Sequence, residues 1–151
     1  MSIGDLCNRE VVVIEPGASI SAAVRLMRDY HVGDLVVVEQ RGVERVPVGM
    51  LTDRDIVIKV MAEEIDPYST SVGNLMTTEL VTASEGEDLV DVVGRMRSRG
   101  VRRVPVVNTQ GGLEGILAVD DILDLLAEQL TGLVGLVRVE QRHERERTAG
   151  G

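Results

Sequence analysis

Apolar and polar positions along this chain follow two alternating regimes, and the whole succession occurs twice. Val11 to Ile14 is an apolar run of strand length, followed by a glycine turn at Gly17. Ile20, Ala23, Val24 and Met27 then fall at i, i+3, i+4 and i+7, the spacing of one helix face. Ser19, just before them, is a suitable N-cap. From Val32 to Val38 the chain is almost continuously apolar, as in a strand covered on both sides. A polar turn over 39–44 leads to a strand through Gly49–Leu51. A second helix is predicted from near Asp55, carrying Ile56, Val57, Val60 and Met61.

The order returns from Leu80 to Ala83. Gly86 supplies the turn, Asp88 the cap, and Leu89, Val92, Val93 and Met96 the helix face. An apolar run from Val101 to Val107, a turn over 108–112, a strand through Gly115–Leu117 and a helix from near Asp121 (Ile122, Leu123, Leu126) complete the second copy. Each copy reads β-α-β-β-α. Aligned at an offset of 69, residues 2–38 show 12 identities over 37 positions, among them Gly4/Gly73, Glu10/Glu79, Gly17/Gly86 and Met27/Met96. The register then shifts by three residues in the hairpin turn, where insertions cost little. It matches again at Gly49/Gly115, Leu51/Leu117, Asp55/Asp121 and Ile56/Ile122. The expected organisation is a first repeat over 2–66, a linker over 67–70 in which Pro67 stops the preceding helix, and a second repeat over 71–133. A charged extension over 134–151 is expected to be partly disordered. Two facing copies of one unit create a cleft on their pseudo-twofold axis, where function is to be sought.

Composition narrows the possibilities. The 151 residues suffice for one ordinary domain or two small ones sharing a core, and 44% of them are apolar. The interior is aliphatic, with no Phe or Trp and only Tyr30 and Tyr68, so stacking on nucleic-acid bases is nearly unavailable. The net charge of −9 argues against a phosphate-binding face as well. Apolar runs are far shorter than the roughly 20 residues of a membrane span. The opening residues lack the basic and apolar regions of a secretion signal, and the single cysteine, Cys7, has no partner for an internal disulfide, so a cytoplasmic protein is expected. His31 and His143 stand apart without metal-ligand companions, and no metal is expected. No nucleophile–histidine arrangement or phosphate-cradling glycine loop points to an enzyme.

Three segments carry a family resemblance: Val72-Gly-Asn-Leu-Met-Thr opening a repeat, Gly100-Val-Arg-Arg-Val-Pro-Val in its middle, and Gly49-Met-Leu-Thr-Asp-Arg-Asp-Ile closing one. In this order, and duplicated, they resemble tandem CBS domains (named for cystathionine β-synthase), the pair called a Bateman module. The resemblance covers roughly residues 2–130 and implies an α+β or α/β fold with two clefts between the repeats. It further implies an adenine nucleotide of the AMP, ADP, ATP or S-adenosylmethionine type as a regulatory ligand, with no required cofactor. Carried onto this chain, it implies that Thr52 meets phosphate and Asp55 takes the ribose hydroxyls. Gly33 and Gly49 would allow close approach of base or sugar, with Asp34, Met50 and Arg54 beside them. Arg102 and Arg103 would reach the phosphates from the opposite repeat. The second cleft departs from the pattern: Ala118 replaces the hydroxyl while Asp121 and Pro105 remain. Gly33-Asp34 stand there where Arg102-Arg103 stand opposite the first, so Asp34 is expected to repel phosphate at the second cleft. One competent site is predicted.

Thr52 and Asp55 also form a capping-box pattern, a hydroxyl with an acid three residues on, which by itself accounts for both. Arg102 and Arg103 could equally pair with carboxylates of this acidic chain. Two readings therefore stand: a stand-alone regulatory module binding an adenine nucleotide and acting on a partner protein, and a structural dimerisation module that has lost the ligand. Both expect a homodimer through the helices of the pair, with 125–137 as added apolar contact area.

Overall fold

The structure is a computed structural model describing residues 2–149. The chain divides into two units, one ending at Leu117 and one beginning at Ala118. The first holds two three-stranded sheets of the same design. In one, β1 (Val13–Ile14) runs parallel to β2 (Asp34–Arg41), which pairs antiparallel with β3 (Glu44–Thr52). In the other, β4 (Ala83–Ser84) runs parallel to β5 (Arg103–Val107), and β6 (Leu113–Ala118) lies beyond it. Helices α2 (Ile20–Tyr30) and α5 (Leu89–Arg99) make the β-α-β crossovers. Their predicted caps are present: the side chain of Ser19 accepts from the Ala22 N–H and that of Asp88 from the Val90 N–H. Leu35 to Val38 are all buried, as a strand covered on both faces requires.

Two features go beyond the predicted pattern. Strands β2 and β3 extend further into the hairpin than the polar residues suggested, so the turn shrinks to Gly42 and Val43. The helix expected near Asp55 starts earlier, as α3 (Asp53–Ile56), and widens at once into a π-helical turn, Val57–Met61. Each repeat also opens with a short helix that the periodicity did not reveal, α1 (Ile3–Leu6) and α4 (Val72–Leu75).

These opening segments are exchanged between the repeats. The Gly73 and Val72 N–H groups donate to Pro16 O and Ala18 O, at 2.8 Å each. The equivalent Gly4 and Ile3 N–H groups donate to Glu85 O and Glu87 O, at 2.9 and 3.2 Å. Just beyond, Thr77 pairs with Met50 of β3 through two hydrogen bonds (2.9 and 3.0 Å), and Asn8 pairs with Ile116 of β6 through two more (2.8 and 2.9 Å). The core of the first repeat, built on Ile20, Leu35, Val37 and Leu51, accordingly includes Val72, with Leu75 and Met76 packed against it. The second repeat's arm thus completes the first repeat's core, and the first repeat's arm buries Ile3 in return. A backbone arm buried in this way needs partners for its N–H and C=O groups, and the neighbouring strand edge supplies them.

The second unit is essentially one helix, α6 (Val119–Ala149), which runs without a break across the boundary predicted at 133/134. Residues 134–149 are helical; Gly150 and Gly151, also expected to be disordered, lie outside the described residues. No helix among the described residues is long and apolar enough to cross a membrane.

Candidate functional site

Within the first unit, the exchanged arms leave a cleft of about 670 Å³. One wall is the first repeat: Gly33 and Asp34 entering β2, Met50 and Thr52 ending β3, and Asp53 and Arg54 opening α3. The other wall is the second repeat: Thr77 and Glu79–Val81 after α4, and Gly100–Arg103 leading into β5. The β2–β3 register explains part of this gathering, because Asp34 is the direct partner of Thr52. The Thr77–Met50 pairing holds the opposite wall in place. Of the residues expected at the first site, Gly33, Asp34, Met50, Thr52, Arg54, Arg102 and Arg103 all bound this one cleft. Pattern reading missed Thr77 and Glu79; only the arm exchange brings them in.

Thr52 and Asp55 form a complete capping box. The Thr52 Oγ1 accepts the Asp55 N–H at 3.1 Å, and the Asp55 Oδ2 accepts the Thr52 N–H at 3.1 Å. A hydroxyl that accepts one hydrogen bond still has its own O–H to donate, and Thr52 faces the cleft. Asp55 is not among the bounding residues; its Oδ1 lies 3.5 Å from Lys59 Nζ, which itself donates to Leu75 O at 3.2 Å.

The glycines serve packing inside the protein. A Cβ on Gly49 would stand 2.5 Å from Met76 Sδ and 3.0 Å from Thr77 O. At Gly33 it would stand 2.9 Å from Asp53 Oδ2. What comes close to these backbones is the exchanged arm and the first residue of α3, in the space the resemblance assigned to base or sugar.

Asp34, expected beside Met50 and Arg54, stands in the first cleft, with its Oδ2 3.4 Å from Arg103 Nε. The Asp34 side chain is 12% exposed and that of Arg103 42%. Burial pushes the Asp34 carboxyl above the usual range, Arg103 pulls it down, and Asp53 pushes it up again. The cleft therefore carries Asp34, Asp53 and Glu79 against Arg54, Arg102 and Arg103. Its two charge signs are matched in number.

The residues expected at a second site lie on three elements. Pro105 is buried in β5, Ala118 is buried at the end of β6, and Asp121 is exposed in the first turn of α6. The first unit has a further cavity of about 590 Å³ bounded by Asn8, Glu10, Val11–Val13, Leu26, Tyr30 and Val32. These are largely the repeat equivalents of the Thr77–Val81 wall, and they include no basic residue. No group of three or more His, Cys, Asp or Glu side chains among the described residues is arranged to hold a metal ion.

Two copies of the CBS domain family model match this chain, over residues 3–62 and 72–128. The chain belongs to the CBS domain family. A CBS domain-containing protein of Bacillus subtilis, YhcV, is 38% identical over 80% of this chain and 82% of its own length. A protein of Methanopyrus kandleri is 30% identical over 83% of this chain, which spans only 62% of that relative. Among solved structures, the CBS domain pair of protein MJ0100, crystallised with 5′-methylthioadenosine and S-adenosyl-L-methionine, superposes with a TM-score of 0.71 at 25% identity, over 83% of this chain and 99% of that one. The cytosolic domain of the Mg²⁺ channel MgtE in complex with ATP gives 0.70 at 27% identity, over 82% of this chain and 48% of that one. Hypoxic Response Protein I, with two coordinated zinc ions, gives 0.71 at 30% identity, over 82% and 98%. These neighbours share the fold of two repeats, each with a three-stranded sheet and helices.

Proposed function

We propose that this CBS pair is a cytoplasmic regulatory module that binds an adenine nucleoside or nucleotide in the cleft between Thr52 and Arg102-Arg103. The observation that carries the reading is the joint ownership of that cleft. Thr52 and Arg54 come from one repeat, Glu79, Arg102 and Arg103 from the other. A molecule seated there touches both repeats, so it can shift their packing by as much as its affinity differs between two arrangements. The volume of about 670 Å³ lies within the range of small-molecule sites. The ligands of the MJ0100 and MgtE neighbours support an adenine compound as the class. No catalytic step is assigned.

Isothermal titration of ligand-free protein with AMP, ADP, ATP and S-adenosylmethionine tests the reading. At least one of them is expected to bind, and Thr52→Ala to weaken it about tenfold, the worth of one hydrogen bond to a charged or polar ligand group. The same substitution removes the cap of α3 and is expected to cost about 1 kcal/mol of stability. Silence for all four ligands would overturn the reading.

The structural reading, a dimerisation module, draws support from a different observation. Along α6, Leu123, Leu126, Leu130, Leu133 and Val137 recur at alternating spacings of three and four, and all are exposed. That spacing is the stripe by which two helices pack along their length. A homodimer through this stripe is compatible with ligand binding and completes the proposal, with a separate regulated protein as the further partner. Leu130→Glu is expected to convert a dimer to a monomer in size-exclusion chromatography with light scattering. A wild-type monomer at high micromolar concentration would remove this part.

A further inference from the structure

Asp34 and Arg103 are the same position in the two repeats, 69 residues apart in sequence. The fold makes these equivalents face one another, with Arg103 Nε 3.4 Å from Asp34 Oδ2. That oxygen is shut off from solvent and receives no hydrogen bond among the described residues. A carboxylate oxygen buried without a donor is costly, and a native structure needs a reason to keep one. The arginine does not supply the donor, because its Nε approaches without hydrogen-bond geometry. Asp53 adds a second negative charge nearby, and Glu79 a third in the same cleft. Arg54, Arg102 and Arg103 bring the total close to zero. A ligand with three or four negative charges would press its phosphates against these carboxylates in a partly dry site, where like charges repel far more than in water. A ligand with a positive or hydrogen-bond-donating end would satisfy Asp34 instead.

From these charges, and resting on the reading of this cleft as an adenine-ligand site, we infer that it selects nucleosides of zero or positive net charge, and that Asp34 is the residue that excludes polyphosphates. Its partner in the bound state is a donor or cation on the ligand, of which a sulfonium nucleoside with an amino-acid tail is the fitting type. Arg103, paired with Asp34 in this structure, is then left to balance a single ligand carboxylate.

The test compares S-adenosylmethionine, 5′-methylthioadenosine and ATP on the full chain and on Asp34→Asn. Asparagine keeps the side-chain shape, and a thermal unfolding curve confirms that the variant folds; Asp34→Ala serves as the second variant. Wild type is expected to bind S-adenosylmethionine at least tenfold more tightly than ATP. Asp34→Asn is expected to weaken S-adenosylmethionine about tenfold and to strengthen ATP about tenfold, reversing the order. Tight ATP binding by wild type, or an unchanged ratio in both variants, overturns the inference while leaving the adenine site intact. Binding of no adenine compound by wild type or variants overturns the site reading, and this inference with it. ATP binding gained only in the variants upholds exclusion by Asp34.

Discussion

Gly115→Val is expected to lower the free energy of unfolding by about 3 kcal/mol or more. Any Cβ at 115 would stand 2.7 Å from Cys7 Sγ and 2.8 Å from Asn8 O. The Asn8 carbonyl cannot retreat, because it accepts the Ile116 N–H at 2.9 Å while the Asn8 N–H donates to Ile116 O at 2.8 Å. Relief therefore requires the arm to leave β6. Gly49 is the equivalent position in the first repeat, but the atoms nearest its Cβ belong to the flexible end of Met76, and the paired Thr77 O stands back at 3.0 Å. Gly49→Ala should accordingly cost less than Gly115→Ala, since a methionine can swing aside and the paired backbone has less far to give. Gly94, in the exposed middle of α5, has nothing within 4 Å, and Gly94→Ala is expected to stabilise by about 0.5–1 kcal/mol. Guanidinium unfolding midpoints read all four. A Gly115→Val midpoint equal to that of wild type would mean that the arm is not packed there.

Val72→Asp is expected to cost about 4 kcal/mol, because it buries an unpaired charge. Val72 is fully buried, and its surroundings are Ile20, Leu35, Leu51 and the rest of the first repeat's core. The distinctive readout is location. By hydrogen exchange, protection should fall across residues 13–56, although the substituted residue lies in the second copy of the sequence. Val90→Asp changes the same residue type on the exposed first turn of α5 and is expected to be nearly neutral. Loss of protection confined to residues 83–117 would contradict the arm exchange.

Both predictions depend on something that periodicity does not reveal. The helix faces of α2 and α5, their caps at Ser19 and Asp88, and the doubly covered run Leu35–Val38 were all legible, because each is a local matter of spacing and side-chain chemistry. The short helices α1 and α4 were not, since a four-residue helix has no period to detect. The long reach of β2 and β3 was also hidden, because cross-strand pairing carries polar residues such as Glu39 and Arg45 into the ladder. At the cleft, the residue types stood in the sequence, but their partners did not. Thr52 and Asp55 were readable as a cap or as ligand groups; the observed bonds complete the cap, and Thr52 also bounds the cleft. Asp34 was legible beside Thr52 as its strand neighbour, but its ion pair with Arg103 of the other repeat was not.

By itself the sequence determined the duplication, the two β-α-β-β-α units, their core faces and the family. All of these follow from patterns within about twenty residues of chain or from comparing one copy with the other. Only the tertiary structure decided that the copies exchange their opening arms, that those arms pack against Gly49 and Gly115, and that equivalent positions carry opposite charges facing across one cleft. The physical reason is that these are contacts between residues 27 (Met50–Thr77) to 108 (Asn8–Ile116) positions apart in sequence. Such contacts depend on how two packed bodies meet, and no local period encodes that meeting.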